Sequence, residues 1–190
     1  MKKGKIIVLA APSGCGKSTI VGRLLDGGDL DLEFAVSATT RSPRPGEVHG
    51  VNYYFLTPDQ FRQAIADGLF LEYEEVYPDR FYGTLRSEIE RVTSAGHNIV
   101  LDIDVNGALD IKRQYPQDAT TIFIAPPSID ALRQRLEGRG TEAPEVIDQR
   151  VGRAEYEISR APEFDYKVVN DILDDAVATT HDIILNATQR

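Results

Sequence analysis

The chain has 190 residues, 42% of them hydrophobic and 27% charged, and its formal net charge is −9 at pH 7. This composition is that of one globular α/β domain with its own core and room for inserted lobes. The acidic balance argues against nucleic acid as a partner, because a phosphate backbone binds to a basic face. No apolar run reaches the roughly 18 residues that a membrane span requires, so we expect no membrane attachment.

The chain contains a single cysteine, Cys15, and therefore no intrachain disulfide. This cysteine usage is typical of a reducing compartment. We expect a cytoplasmic protein that is a monomer or a weak homo-oligomer. Near the start, the apolar residues 6–11 are followed by Pro-Ser-Gly, which indicates a first core strand rather than a signal peptide.

Four apolar runs predict buried strands, and in chain order they cover residues 5–11, 98–104, 120–125 and 166–170. Uninterrupted apolar runs are typical of parallel strands that are covered on both faces. Helical patterns lie between the runs, and the last helix is expected to begin near Asp171. This alternation predicts an α/β fold whose parallel sheet is flanked by helices and joined by right-handed crossovers.

A first long stretch, residues 37–91, does not fit a simple crossover between strands. It contains a helix signature, with Thr57 as the N-cap, Pro58 at the first helical position and Gln60 completing a capping box. We interpret this stretch as a small inserted lobe.

A second long stretch, residues 126–160, predicts two helices, the first capped by Ser128 and ended by Gly138. The stretch is rich in arginine, and we interpret it as a mobile lid. The core is then expected to comprise residues 1–36, 92–125 and 161–190.

The turn after the first strand reads APSGCGKST and begins at Ala11. It matches the phosphate-binding pattern G-x-x-x-x-G-K-[ST], except that alanine replaces the first glycine. Gly14 and Gly16 allow successive N–H groups to face an anion, and the following helix N-terminus adds a favourable dipole. We expect Lys17 to reach the β- and γ-phosphates and Ser18 to bind Mg²⁺. The alternative is a glycine-rich turn without a ligand.

Cys15 lies inside this turn, where it is either a small filler residue or a reactive thiol. A helix N-terminus lowers the pKa of a neighbouring thiol. We therefore expect alkylation of Cys15 to block the site and bound nucleotide to protect it.

The second apolar run ends in LDID, which contains Asp102 and Asp104. Residues two apart on a strand point to the same side, so both carboxylates are expected to share a face. An aspartate at this position commonly holds Mg²⁺ beside a phosphate-binding loop. The alternative is an acidic strand end at the edge of the sheet.

Arginine, hydroxyl and tyrosine side chains gather in SATTRSPRPGEVHGVNYYFL, which begins at Ser37. Arg41 and Arg44 are planar donors suited to a phosphate, and Tyr53 and Tyr54 can donate to the same phosphate or stack on a base. The alternative is a solvated turn, favoured by the prolines and glycine of the stretch.

Glu72 follows in FLEYEEVYPDRFYGT, an otherwise largely apolar and aromatic setting. A carboxylate there can accept two hydrogen bonds from a base edge with adjacent N–H groups, as guanine has and adenine lacks. A surface glutamate on a strand is the alternative.

Arginines also recur at helical spacing in the predicted lid. Arg135 and Arg139 are four residues apart, and Arg150 and Arg153 are three apart, so each pair shares a helix face. They can form salt bridges with nearby glutamates, or they can stabilise the charge of a transferring phosphoryl group when a lid closes.

Together these residues resemble the guanylate kinase family. TTRSPRPGEVHGVNYYFL is similar to the family signature, in which T-[ST]-R is followed by a second basic residue, an acid, a glycine and Y-x-F. FLEY, FYGT, LDIDVNGA, RLEGRGTE and VVND extend the resemblance over nearly the whole chain. It implies a P-loop kinase core with an inserted lobe that binds the nucleoside monophosphate, a helical lid, and the reaction of ATP with GMP to give ADP and GDP.

The resemblance also implies site residues by matching position. The catalytic residues would be Lys17, Arg44, Arg135 and Arg150. The ATP-binding residues would be Ala11, Pro12, Ser13, Gly14, Cys15, Gly16, Lys17, Ser18, Thr19, Arg139 and Asn170, the last near adenine. The GMP phosphate would be held by Arg41, Arg44, Tyr53 and Tyr82. Guanine would be read by Ser37, Glu72, Thr84 and Asp104. Mg²⁺ would be held by Ser18 and Asp102, and dGMP would be a further acceptor.

Departures from the family pattern are few: alanine at the first loop glycine, Thr84 where serine is common, and Asn106 where glutamine is common. Three alternative functions stay open at this point. A guanylate-kinase-like module could bind a phosphorylated ligand without catalysis, a kinase could act on another phosphorylated metabolite, or an NTPase switch could act without an acceptor.

Overall fold

The computed structural model describes residues 3–138, 140 and 143–189, which contain nine strands and seven α-helices. The strands are β1 (Ile6–Ala10), β2 (Leu32–Phe34), β3 (Ala38–Thr39), β4 (Tyr54–Phe55), β5 (Phe70–Tyr77), β6 (Arg80–Leu85), β7 (Asn98–Asp102), β8 (Ala119–Ala125) and β9 (Tyr166–Val169). The α-helices are α1 (Lys17–Gly27), α2 (Pro58–Ala66), α3 (Arg86–Ser94), α4 (Val105–Gln114), α5 (Ile129–Glu137), α6 (Pro144–Ser159) and α7 (Leu173–Gln189).

A parallel five-stranded sheet, in the order β2-β7-β1-β8-β9, forms the centre of the fold. Successive residues of β1 alternate between two apolar clusters, with Val8 on one face and Ile7 and Leu9 on the other. One cluster contains residues of α3 and α4, and the other contains residues of α1 and α7. The predicted α/β fold with a helix-flanked parallel sheet is confirmed.

The four predicted strands are present, with β7 ending at Asp102 rather than at residue 104. The edge strand β2 was not predicted, because it has only three residues and none of them is buried. The last helix, α7, begins at Leu173, two residues after the predicted start. No α-helix in the described part of the chain combines the length and the apolar character needed to cross a bilayer.

A second sheet, in the order β4-β3-β6-β5, lies between β2 and α3 in the sequence. Helix α2 covers it, and the Phe61 ring stacks on Phe70 and Phe81 at centroid distances of 4.2 and 5.1 Å. The predicted cap is confirmed, since Thr57 and Gln60 form both hydrogen bonds of a capping box.

Helices α5 and α6 follow β8, and the predicted caps Ser128 and Gly138 bound the first of them. The two helices pack against each other through an apolar cluster that includes Leu132, Leu136 and Val151. Helix α3 begins inside the predicted lobe, but its Ile89 packs into the core of the parallel sheet. The division into core, lobe and lid stays a prediction.

Candidate functional site

A cleft of about 980 Å³ opens at the carboxyl ends of β1 and β7 and extends between the second sheet and α6. This position is where parallel α/β sheets bind their ligands. Among the predicted site residues, those lining the cleft are Ala11, Pro12, Ser13, Gly14, Cys15, Gly16, Lys17, Ser18, Thr19, Ser37, Tyr53, Glu72, Tyr82, Asp102, Asp104 and Arg150. The cleft therefore brings together residues from distant parts of the sequence.

The loop between β1 and α1 has the backbone shape that an anion site requires. Gly14 and Gly16 have φ angles of 93° and 81°, in the left-handed region that favours glycine. A Cβ atom at Gly16 would lie 2.6 Å from Nδ2 of Asn170, so a side chain there would also displace that amide. The N-terminus of the 11-residue helix α1 follows at Lys17.

Asn170 holds the backbone of this loop through a side-chain hydrogen bond. Its side chain is buried, and Nδ2 donates a hydrogen bond to the carbonyl oxygen of Cys15 at 2.7 Å. Asn170 does not line the cleft. Its contact with adenine stays a prediction.

The expected lowering of the Cys15 pKa is wrong, and the structure agrees with the alternative of a small filler residue. Cys15 is 1% exposed and packs in the apolar cluster of α5 and α6 with Leu132 and Leu136. This burial raises the pKa of the thiol to about 12, and it outweighs the lowering effect of the nearby Arg135 and Lys17 charges. The thiol is thus a packed core group, and only its loop position is shared with a reactive cysteine.

Lys17, Ser18 and Asp102 form a contact group at the end of β7. The Lys17 ammonium pairs with the Asp102 carboxylate and donates a hydrogen bond to the Ile103 carbonyl at 3.0 Å. The Ser18 hydroxyl donates to Oδ2 of Asp102 at 3.4 Å. The hydroxyl and the carboxylate are both hard oxygen ligands, so the pair fits Mg²⁺. No cluster of three or more His, Cys, Asp or Glu residues suited to a metal occurs within residues 3–138, 140 and 143–189.

Asp104 does not extend β7, so the expectation of two carboxylates on one strand face is wrong. It caps α4 instead, and its Oδ1 accepts hydrogen bonds from the backbone N–H groups of Asn106 and Gly107 at 2.7 and 3.1 Å. The chain turns after Asp102, yet both carboxylates line the same cleft.

Glu72 lies on β5 directly opposite Thr84 on β6. Burial raises the pKa of the Glu72 carboxyl, the negative charge of Asp104 raises it further, and a hydrogen bond from Thr84 opposes the rise. Thr84 itself is buried and does not line the cleft, so it contacts the cleft through Glu72.

Arg41 is held by the carboxylate of Glu47, which was not among the predicted site residues. Its two terminal nitrogens pair with Glu47 at 2.9 and 2.8 Å, and its guanidinium lies 5.4 Å from the Tyr53 ring centroid. Glu47 also accepts the backbone N–H of Arg44 at 2.6 Å. These hydrogen bonds, that of Arg41 first, lower the pKa of Glu47 to about 2. The acid of the signature was the available sign of this residue.

Arg41 and Arg44 do not line the cleft, and the Arg44 residue is exposed. Tyr53 and Tyr82 do line it, with ring centroids 6.2 Å apart. Tyr54 is not available to a phosphate as expected, because its hydroxyl donates to the buried carboxylate of Glu88 at 2.8 Å.

The predicted lid arginines have different surroundings. Arg150, on α6, lines the cleft and contacts the Ser13 hydroxyl of the phosphate loop. Arg135, on α5, does not line the cleft, and it donates to the Asp171 carbonyl at 3.4 Å. Arg139 lies outside the described residues. Arg153 also lines the cleft and pairs with Glu157 at 2.9 Å, as the salt-bridge alternative predicted.

Asn106, which has no explanation in the sequence, has neighbours on α6. Its side-chain oxygen lies 3.5 Å from the Tyr156 hydroxyl and 3.3 Å from Nη1 of Arg160. It thereby connects the start of α4, next to Asp104, with the end of α6.

Comparisons with known proteins agree with this geometry. The guanylate kinase family model matches residues 3–187. A guanylate kinase of Bacteroides fragilis is 55% identical over 93% of this chain and 86% of its own length. One of Salinibacter ruber is 54% identical over 95% of both chains. The crystal structure of guanylate kinase from Anaplasma phagocytophilum matches with a TM-score of 0.75 and 29% identity, over 100% of this chain and 89% of that one. The chain belongs to the guanylate kinase family.

Proposed function

We propose that this protein is a nucleoside monophosphate kinase that transfers the γ-phosphoryl group of ATP to GMP, giving ADP and GDP. The observation that carries the proposal is one cleft with two different ends. A phosphate-binding loop forms one end. Glu72 lines the other, with Ser37, Tyr53 and Tyr82. An NTPase that hydrolyses ATP without an acceptor needs no second group of polar binding residues opposite its phosphate loop.

The donor nucleotide is assigned to the loop end. The backbone N–H groups of residues 11–19 surround its phosphates, and the α1 dipole favours their negative charge. Lys17 leaves Asp102 to reach the β- and γ-phosphates. Arg150, already in contact with the loop, stabilises the charge that spreads over the transferring group, and Arg135 and Arg139 join it when the lid closes.

The acceptor is assigned to the second sheet. Arg41, Arg44, Tyr53 and Tyr82 hold the phosphate of GMP. Glu72 accepts hydrogen bonds from N1 and N2 of guanine. Its burial strengthens the preference for guanine, because a base without these donors would leave a buried carboxylate without hydrogen bonds, which is costly in free energy. Ser37 and the second oxygen of Asp104 complete the guanine contacts, and Thr84 acts on guanine through its hydrogen bond to Glu72.

Ser18 and Asp102 would hold Mg²⁺, which supplies charge neutralisation at the donor phosphates when it is bound. The acceptor phosphate is already an anionic nucleophile at neutral pH, so no side chain needs to remove a proton from it. The protein's contribution is to align the two phosphates, to surround them with positive charge and to exclude water, which would otherwise hydrolyse ATP.

We further propose that residues 37–91 and 126–160 move as lobe and lid around this cleft. The protein is expected to work in the cytoplasm as a monomer or a weak homo-oligomer, without nucleic acid or membrane partners. The acidic net charge of −9 and the single cysteine support this part of the proposal.

The test is coupled ADP formation from Mg-ATP, with GMP, dGMP, AMP, CMP and UMP as separate acceptors. We expect strong turnover with GMP, weaker turnover with dGMP and almost none with the others. ATP turnover that does not depend on an acceptor would indicate an NTPase. GMP binding without acceptor-dependent turnover would indicate a binding module.

A further inference from the structure

The chain crosses from the parallel sheet to the second sheet between β2 and β3, and it returns between β6 and α3. The buried carboxylate of Glu88 lies where these two crossings meet. Glu88 is in the first turn of α3, directly after the chain returns from the second sheet, and it is 1% exposed. The proposed chemistry does not use it. A buried ionised group is costly unless its oxygens are fully hydrogen-bonded.

Each carboxylate oxygen of Glu88 accepts two hydrogen bonds. Oε1 accepts from the Tyr54 hydroxyl at 2.8 Å and from Nε of Arg91 at 3.0 Å. Oε2 accepts from the backbone N–H of Val36 at 3.0 Å and from Nη2 of Arg91 at 3.1 Å. Arg91 in turn pairs with Glu33 on β2 at 2.6 Å, which anchors the group to the parallel sheet.

In the crossing from β2 to β3, successive residues form backbone hydrogen bonds to different parts of the fold. The N–H of Ala35 donates to Val100 on β7, so this residue still belongs to the parallel sheet. The N–H of Val36 donates to Glu88, and the carbonyl of Ser37 already accepts from Tyr54 of the second sheet. Glu88 therefore holds the one residue that lies between the two sheets.

The partners of Glu88 are the sequence neighbours of residues that line the cleft. Val36 precedes Ser37, and Tyr54 follows Tyr53. The side chains of neighbouring residues on an extended chain point in opposite directions, so holding the Tyr54 side chain against α3 directs the Tyr53 side chain toward the cleft. The hydrogen bond to the backbone N–H of Val36 fixes the main chain directly before Ser37.

We infer that Glu88 is a positioning residue for the acceptor nucleotide: it fixes the second sheet relative to the phosphate loop by holding Val36 and Tyr54 against α3. This inference rests on the proposed function, and it deepens the acceptor half of it. The residue touches neither substrate. It acts through Ser37 and Tyr53, while the donor end depends on other contacts.

The experiment compares three full-length variants with the parent protein: Glu88→Gln, Tyr54→Phe and Asp165→Asn. Asp165 is the matched control, because its carboxylate also holds three donors, two from Thr121 and one from Lys112, at the far side of the parallel sheet. The KM values for GMP and for ATP are measured separately, together with the GMP dissociation constant by calorimetry and the melting temperature.

We expect Glu88→Gln to raise the KM and the dissociation constant for GMP about tenfold. The substitution weakens hydrogen bonds to a charged group, and the free energy of one such bond corresponds to about a tenfold change in an equilibrium constant. Tyr54→Phe removes a single donor and is expected to raise them about threefold. The KM for ATP is expected to stay within about twofold in both variants, and Asp165→Asn is expected to lower the melting temperature without separating the two KM values.

Unchanged GMP constants in Glu88→Gln and Tyr54→Phe would overturn the inference, as would equal rises for GMP and ATP. If Glu88→Gln does not fold, Tyr54→Phe decides, because it keeps the aromatic ring and removes only the hydroxyl. A parent protein that neither binds GMP nor depends on it would overturn the proposed function itself, and the inference with it. A parent that binds GMP without turnover still permits the test through the dissociation constants.

Discussion

The two ends of the cleft are built in different ways. The end that we assign to ATP, the donor end, is lined by one continuous stretch, residues 11–19, with two left-handed glycines. The end that we assign to GMP is the acceptor end. The acceptor end is assembled from side chains on separate elements. Ser37 precedes β3, Glu72 is on β5, Tyr82 is on β6 and Asp104 caps α4.

The supports of the two ends differ as well. The donor loop is held by one amide, Asn170, and by the apolar packing of Cys15. The acceptor end depends on charged groups, with Glu47 holding Arg41 and Glu88 holding the passage between the sheets. One local motif thus supplies the groups of the donor site, whereas the side chains of the acceptor site come from separate elements that the long-range hydrogen bonds of Val36 and Tyr54 to Glu88 hold in place.

The largest expected effect is at the donor end. Lys17→Ala removes the ammonium that we propose stabilises the transferring phosphoryl group, so kcat is expected to fall by about 10³-fold. Lys167→Ala, an exposed lysine on β9, is the matched control and is expected to keep the parent rate. Steady-state ADP formation gives both rates. A kcat within a few-fold of the parent in Lys17→Ala would contradict the assignment of the donor phosphates to this loop.

Alkylation of Cys15 tests whether the donor loop is packed as the structure shows. With the pKa raised to about 12, the thiolate is nearly absent at neutral pH. We expect iodoacetamide to react on the order of 10³-fold more slowly than with a free cysteine, and faster by about tenfold per pH unit below that pKa. Denaturant should restore the free rate. Rapid labelling of the folded protein that nucleotide suppresses would mean that the loop opens readily.

Glu72→Ala tests the side chain that we propose binds the guanine base at the acceptor end. Because a site built to accept hydrogen bonds rejects a base that lacks the donors, we expect the preference for GMP over AMP to fall by about 10²-fold. The ratio of kcat/KM for the two acceptors measures it. Glu90→Ala, on the exposed side of α3, is the control and should leave the ratio unchanged. Retained preference in Glu72→Ala would assign guanine selection to other residues.

Glu47→Gln tests the charged support of Arg41 and has the smallest expected effect. Releasing the guanidinium is expected to raise the KM for GMP by up to about tenfold, with the KM for ATP unchanged. Since the pKa of Glu47 is lowered to about 2, the ion pair is present at neutral pH and is lost only as the pH falls toward that value. Asp59→Asn, an exposed partner of Arg62, is the control. An unchanged KM for GMP would show that Arg41 is positioned without Glu47.

The same contrast explains what could be predicted from the sequence. The phosphate loop, the four long strands of the parallel sheet and the caps Thr57 and Ser128 depend on neighbouring residues, so local patterns reveal them. The strand β2 was not predicted, because it has only three residues, none of them buried, which is too few to show a hydrophobic period. The predicted surroundings of Asp104 and Tyr54 and the predicted direction of the Cys15 pKa shift were wrong, because a helix cap, a buried hydrogen-bond acceptor and an overlying helix pair are set by tertiary contacts.

Transfer of a labelled γ-phosphoryl group from Mg-ATP in a single turnover tests the central claim most directly, because it follows the group between the two ends of the cleft. Our account predicts that the label appears in GDP when GMP is present and stays in ATP when GMP is absent. Label released as inorganic phosphate at the same rate with and without GMP would contradict it.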